Sequence, residues 1–241
     1  MTQLPTEIYE TKYRGPAGQK ERLGPWHREV LGFLKTLDKV KRLLEVGCGN
    51  GRLLTAIIEL GFDAVGIDVS SEAIARCREK GLEAERVNVS EGIPYEGEFD
   101  VCVSVEVIEH LFDPYHFLAQ ISKSLKPEGL LILTAPNFGY YYWQWRYLRG
   151  ESPSEIQNPL HIRFFTASYL SRIAGLQGFR VLTMYSPVQR FGWAAMVFRK
   201  LKLRPLWEAL TRRWGKTLFA VLEKVEAPRF ANLAQVMGQG K

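Results

Sequence analysis

Glu106, Glu109 and His110 stand at i, i+3 and i+4 in the run Val105-Glu106-Val107-Ile108-Glu109-His110-Leu111. On a helix that spacing puts two carboxylates and an imidazole on one face. Carboxylate oxygens favour Mg²⁺ and an imidazole suits Mn²⁺, Fe²⁺ or Zn²⁺, so the trio could hold a divalent metal. The same groups could exchange protons without a metal, or simply order a loop. A second pattern lies upstream, in Leu43-Leu44-Glu45-Val46-Gly47-Cys48-Gly49-Asn50-Gly51. Glycines there let the backbone turn sharply and approach a ligand without a Cβ in the way. A helix opening behind them would present free N–H groups. The dinucleotide fingerprint G-x-G-x-x-G is excluded, because its last glycine would fall on Arg52.

The surrounding pattern says what positions these residues. Short apolar runs at Leu43–Val46, Ala64–Ile67, Ala84–Val89, Phe99–Val105 and Leu130–Thr134 alternate with helical patterns at Arg52–Leu60, Ser71–Lys80 and Pro114–Leu125. That order predicts βαβ units and a doubly wound, mostly parallel Rossmann-like α/β sheet with helices on both faces. Ser70 or Ser71, Asp113 before Pro114, and Thr166 are the expected N-caps. Gly61, Gly81 and the stretch Pro127-Glu128-Gly129 are the expected helix ends. Phe179 to Tyr185 reads as a further strand. In an open sheet of this kind ligands bind beyond the carboxyl ends of the strands, where both chemical patterns fall.

The chain has 241 residues, 46% hydrophobic and 24% charged, enough to bury a full core in one domain. Cys48, Cys77 and Cys102 are an odd, scattered set, which argues against a disulfide framework or a zinc site. The first ten residues lack the pattern of a signal peptide, and no apolar run reaches the roughly 20 residues needed to cross a bilayer. A cytoplasmic protein is expected. The net charge of +6 is uneven. Residues 189–241 carry 11 Lys and Arg against 3 Asp and Glu, whereas residues 1–188 carry 21 against 23. The basic tail is therefore expected to meet an anionic partner.

The spacing G-x-G-x-G after an acidic residue resembles the first motif of class I S-adenosylmethionine-dependent methyltransferases. Val65-Gly66-Ile67-Asp68 places a carboxylate 17 residues after Gly51, where the family holds the ribose hydroxyls. Asn88 stands where relatives carry an Asp beside the adenine amino group. Phe99-Asp100 resembles the family's "FD" landmark, and Leu125-Lys126-Pro127-Glu128-Gly129 its "LKPGG" element. The resemblance runs in order from Lys41 to Asn137. It implies a cofactor site made by Glu45, Gly47, Cys48, Gly49, Gly51, Asp68, Val69, Asn88, Val89 and Ser104, with S-adenosyl-L-methionine as the cofactor.

The Glu-x-x-Glu-His element is similar to one in quinone-biosynthesis O-methyltransferases and in small-RNA 3′-terminal 2′-O-methyltransferases. There it works with a later histidine and a metal that lowers the pKa of a substrate hydroxyl. The later candidate here is His161, which completes the expected catalytic and metal-ligating set of Glu106, Glu109, His110 and His161. A phenol-like hydroxyl has a pKa around 10, so a base or a metal must raise its reactive fraction at neutral pH. The expected reaction is O-methylation of a small or lipid-linked hydroxylated acceptor. Methylation of RNA ends is the alternative, disfavoured by the slightly acidic body, and a third reading is a donor-binding module without catalysis. His27 and His116 are expected to be incidental.

Two further features flank this core. Seven aromatics, Phe138, Tyr140, Tyr141, Tyr142, Trp143, Trp145 and Tyr147, fall in a segment spanning 136–165 where this fold places substrate-covering insertions. They suit a lid over a ring-bearing acceptor or satellite core packing. Residues 190–230 are expected to form two basic amphipathic helices broken at Pro205, with Trp207, Leu210, Trp214, Leu218, Val221 and Val225 on one side. That stripe suits either an anionic membrane surface or packing on the domain. Residues 1–40 are expected to form a helical cap, 41–189 the cofactor-binding domain, and 231–241 a closing strand.

Overall fold

The computed structural model describes residues 10, 11, 13, 23–38, 41–186, 215–230 and 232–238. Within them the chain order is α1 (Pro25–Leu34), β1 (Arg42–Val46), α2 (Arg52–Glu59), β2 (Asp63–Asp68), α3 (Ser71–Glu79), β3 (Ala84–Arg86) and β4 (Phe99–Val105). A 3₁₀ turn at Ile108–His110 follows, then α4 (Pro114–Ser124), β5 (Leu125–Pro136), α5 (Tyr141–Leu148), α6 (Pro153–Ile156), α7 (Ala167–Leu176) and β6 (Phe179–Tyr185). The order closes with β7 (Thr217–Lys224) and α8 (Leu233–Gly238).

Seven strands form one sheet in the order β3-β2-β1-β4-β5-β7-β6. Strands β1 to β5 pair in parallel, while β7 runs antiparallel between β5 and β6. The order reverses between β1 and β4, which opens a crevice at their carboxyl ends. Alternation along each strand builds the two faces. Leu44, Val46 and Cys102 join Phe117, Leu118 and Ile121 of α4 and Leu170 and Ile173 of α7 in one buried cluster. Leu43, Val101 and Val103 point the other way, onto Val30 and Leu34 of α1 and Leu53, Leu54 and Ile57 of α2. The predicted fold class is the one observed.

Local chemistry set the helix starts. Ser70 accepts from Ala73 N at 3.2 Å, Asp113 from His116 N at 2.9 Å, and Thr166 from Tyr169 N at 3.2 Å. Gly61 and Gly81 take φ of +91° and +72° just past α2 and α3, a conformation that a side chain disfavours. Asp100 of the "FD" pair is a clamp. Its carboxylate accepts from Lys41 N, Arg42 N and Lys126 Nζ, at 3.0, 2.9 and 2.7 Å, tying the starts of β1 and β5 to β4.

Four expectations are corrected. Pro127-Glu128-Gly129 does not end α4; the helix stops at Ser124 and these residues lie within β5. They form a bulge, because Phe99 pairs with Leu125 while Val101 pairs with Leu130, and Glu128 accommodates the surplus at φ +61°. Strand β3 ends at Arg86 instead of Val89, since the Asn88 side chain accepts Ser90 N at 3.2 Å and turns the chain. Residues 217–224 are not helical: Leu218-Phe219-Ala220-Val221-Leu222 is a continuous buried run in a strand paired on both sides, between β5 and β6. A run buried on both faces carries no period, so its fit to a helical stripe was accidental. The closing strand expected at 231–241 is instead helix α8 over 233–238, because β7 already fills that place. The rest of the predicted basic helices, at 190–214, lies outside the described residues. No helix among the described residues is long and apolar enough to cross a membrane.

Candidate active site

Strand β1 ends at Val46, and the next five residues fold back into α2. Gly47 N and Cys48 N both donate to Ile67 O, at 2.8 and 3.1 Å, which docks the loop on the end of β2. Gly47 sits at φ +79°, where an added Cβ would lie 2.4 Å from Val107 Cγ2. At Gly49, φ +53°, the neighbour would be the Tyr13 hydroxyl at 2.7 Å. A bare backbone is thus required here by protein neighbours as well as by any ligand. Asp68 holds the assembly: its Oδ2 accepts from Gly49 N and its Oδ1 from Ser70 N, both at 2.9 Å. One carboxylate therefore joins the glycine loop to the start of α3.

A chamber of about 300 Å³ lies against this loop, at the lower end of the range usual for small-molecule sites. Glu45, Gly47, Cys48, Gly49, Asp68, Val69, Asn88 and Val89 of the expected set line it. Gly51 and Ser104 do not. Gly51 is the N-cap of α2, where a Cβ would meet Leu82 and Cys77. Ser104 is fully buried in β4, and its hydroxyl has no hydrogen-bond partner among the described residues. The strand's contribution comes from its end, through Val105, Glu106 and Val107.

The chamber also receives residues to which the sequence assigned no part in the site: Tyr13, Trp26, His27 and Arg52. Only the run of the chain over the sheet brings the first three here. His27, expected to be incidental, lines the chamber. Its Nδ1 accepts from Gly24 N at 3.3 Å, which leaves the proton on Nε2. Burial and the nearby Arg52 push its pKa down to about 4. His116 is half-buried on α4 and does not line the chamber.

Two carboxyls in this chamber are tuned upward. Burial, reinforced by Cys77 and Asp68, holds Glu45 well above the usual carboxylate range. Glu45 Oε2 has no hydrogen-bond partner among the described residues. Glu106 is pushed up to about 7 by burial, against the opposing effect of the Thr134 hydroxyl, which donates to Oε1 at 3.1 Å. Its backbone stands at φ +56°, a strained setting for a non-glycine residue.

Glu109, His110 and His161 do converge: one ligand atom from each lies within 4.8 Å of the others. Glu106 is not part of that group, because the 3₁₀ turn begins at Ile108 and the left-handed step at Glu106 points it elsewhere. The insertion after β5 delivers His161. An Asn137–Phe165 bridge closes its base. Its return limb is zipped onto the 3₁₀ turn through Ile162 N and Arg163 N, both 3.0 Å from Glu109 O. His110 Nδ1 lies 3.0 Å from Leu160 O and His161 Nδ1 lies 3.3 Å from Gln157 Oε1. Carbonyl partners place a proton on Nδ1 in both rings, so that in its neutral form each keeps its lone pair on Nε2. His161 Nε2 is 3.9 Å from Glu109 Oε1. Burial, then the charge of His110, lowers the His161 pKa to about 4, so the ring is neutral at physiological pH.

The same insertion carries α5, which has no buried residue. Trp145 is 50% and Leu148 88% exposed, although Phe138 stacks on Tyr147 at 4.9 Å between ring centroids. Satellite packing therefore accounts for only part of this helix.

Comparison with known proteins agrees with this architecture. A family model described as a methyltransferase domain matches residues 19–184. The ubiquinone biosynthesis O-methyltransferase of Caulobacter sp. (strain K31) is 39% identical over 103 residues, covering 40% of this chain and 41% of that protein. The chain thus spans about two-fifths of the length of that curated relative. A S-adenosylmethionine-dependent methyltransferase from Archaeoglobus fulgidus superposes with a TM-score of 0.59 at 16% identity, covering 92% of this chain and 100% of that one. Phosphoethanolamine N-methyltransferase 2 of Haemonchus contortus, solved with S-adenosyl-L-methionine, gives 0.63 at 16% identity, covering 90% and 60%. These last two likenesses speak for the fold alone. Because the family model takes in well over half of its length, the chain belongs to the methyltransferase-domain family.

Proposed function

We propose that this protein transfers a methyl group from S-adenosylmethionine to a hydroxyl oxygen of a small or lipid-linked acceptor. The observation that carries the reading is the shared chamber: the glycine loop and Asp68 line it together with Glu106 and His110. A donor gripped at one end and an acceptor at the other would meet at near-attack distance.

The residues present suit the donor. Glu45, with one orphaned oxygen, lines the chamber together with Gly47 and Gly49, which carry no Cβ. A carboxylate has about four lone-pair positions, so Asp68 can accept ribose hydroxyls beside its two backbone donors. Val69 and Val89 line the chamber as apolar flanks for a base, together with Asn88 and Ser90. Bound S-adenosylmethionine supplies a methyl group already activated on a sulfonium. What the chain must add is orientation and a place for the acceptor's proton. Glu106, tuned to about 7, has the pKa of a general base at neutral pH.

Glu109, His110 and His161 form a two-histidine, one-carboxylate set with carbonyl-anchored rings, which fits a divalent cation of the Mn²⁺, Fe²⁺ or Zn²⁺ type. A cation held there would act as a Lewis acid on the acceptor hydroxyl. The exposed aromatic helix α5 beside this cluster favours a ring-bearing or lipid-linked acceptor.

Calorimetric titration with S-adenosylhomocysteine, followed by mass spectrometry of hydroxylated aromatic acceptors incubated with the donor, tests the reading. Binding and a product heavier by one methyl group are expected. Binding with transfer only to a nitrogen or carbon acceptor would reject the O-methyl assignment.

The pH dependence is a second expected outcome. A base works when deprotonated, so turnover should rise with pH, with a midpoint near 7 where Glu106 ionises. Glu106→Gln should remove that limb and lower the plateau by about 10²–10⁴-fold. Stability runs the other way: the raised pKa means that the fold favours the protonated carboxyl, and this contribution fades as pH climbs from 4.5 through about 7. A rate profile that stays flat between pH 6 and 8 would remove Glu106 from the role.

A further inference from the structure

Ahead of α1, Glu10 lies against the start of α3 and Tyr13 against the glycine loop. The Glu10 carboxylate accepts from Ser70 Oγ at 2.7 Å, Ser71 N at 2.8 Å and Glu72 N at 3.1 Å. It thus caps the first turn of α3 with a negative charge, where the free N–H groups and the helix dipole favour one. Three residues on, the Tyr13 ring lies over Gly49, and its side chain lines the chamber. Burial keeps the Tyr13 hydroxyl protonated. Ser70, the anchor for Glu10, donates its own N–H to Asp68, and Asp68 in turn accepts Gly49 N. Anchor, carboxylate, glycine loop and Tyr13 form one connected circuit around the chamber.

We propose that Glu10 and Tyr13 form a clasp over the donor, in which Glu10 fastens the strap and Tyr13 is the part that covers the bound nucleoside. The inference rests on the reading of this chamber as the donor site. Glu10 is a positioning residue that acts through Tyr13. Releasing either should open the same exit, so their effects should not add.

Stopped-flow measurement of S-adenosylhomocysteine dissociation tests this on the full chain. Glu10→Ala and Tyr13→Ala should each speed release roughly tenfold or more, as expected for loss of charge-assisted hydrogen bonds or of the ring they hold. The double variant should be no faster than the faster single one. Tyr13→Phe should retain slow release if the ring is the cover. Melting curves unchanged in Glu10→Ala would show that the effect is not unfolding. If wild-type protein binds the nucleoside and both alanine variants release it within twofold of the wild-type rate, the clasp is wrong and the donor site stands. If wild-type protein does not bind it, the donor reading itself fails, and the clasp with it.

Discussion

Asp68→Ala should weaken donor binding by about a hundredfold or more while leaving a folded protein. Two hydrogen bonds from ribose to a carboxylate are worth about 1.5–3 kcal/mol each, and 1.4 kcal/mol is a factor of ten. The same substitution strips Gly49 N and Ser70 N of their acceptor. The loop would then lose its tie to α3, and the unfolding midpoint should fall as well. Asp68→Asn should be intermediate, because its single carbonyl oxygen cannot serve both backbone donors and a ribose, and its amide would oppose one of the N–H groups. Isothermal titration with S-adenosylhomocysteine reads the affinity, and circular dichroism reads the fold. Binding by Asp68→Ala within threefold of wild type would show that the nucleoside sits elsewhere.

His110→Ala and His161→Ala should act on turnover instead. Each is expected to lower kcat by about 10²–10⁴-fold, the range for loss of a group that handles a proton or holds a Lewis acid, with donor affinity unchanged. The reason is geometric: His110 lines the chamber from the turn after β4, not from the glycine loop, and His161 reaches the cluster from a different element. Elemental analysis distinguishes the two chemistries. If the cluster holds a cation, both variants should lose it and a chelator should reproduce their effect on the wild type. If it works by proton exchange, chelation should leave wild-type turnover intact. Equal losses of turnover and donor binding would reject the catalytic assignment.

The fold was legible where local chemistry decides it. Ser70, Asp113 and Thr166 cap helices because a short polar side chain can satisfy an N–H two or three residues on, whatever the rest of the chain does. Strands β1, β2 and β4 read as apolar runs because both of their faces are buried. Where a run is buried on both sides but lies among amphipathic neighbours, as in β7, the period vanishes and helix and strand cannot be told apart. The bulge at Pro127–Gly129 was hidden for another reason. Its existence depends on the pairing between β4 and β5, and no residue within the stretch states that pairing.

The site divides in the same way. Sequence by itself determined the family, the glycine turn after Glu45 and the carboxylate at Asp68, because these depend on spacing along two strands and a loop. Tertiary structure alone decided which acidic residues meet. A left-handed step sends Glu106 to Thr134, away from Glu109, and the return limb of a distant insertion carries His161 to Glu109 and His110. It also decided that Tyr13, Trp26 and His27 wall the chamber. Spacing governs what neighbouring residues can do together; only the packed sheet governs which strangers become neighbours.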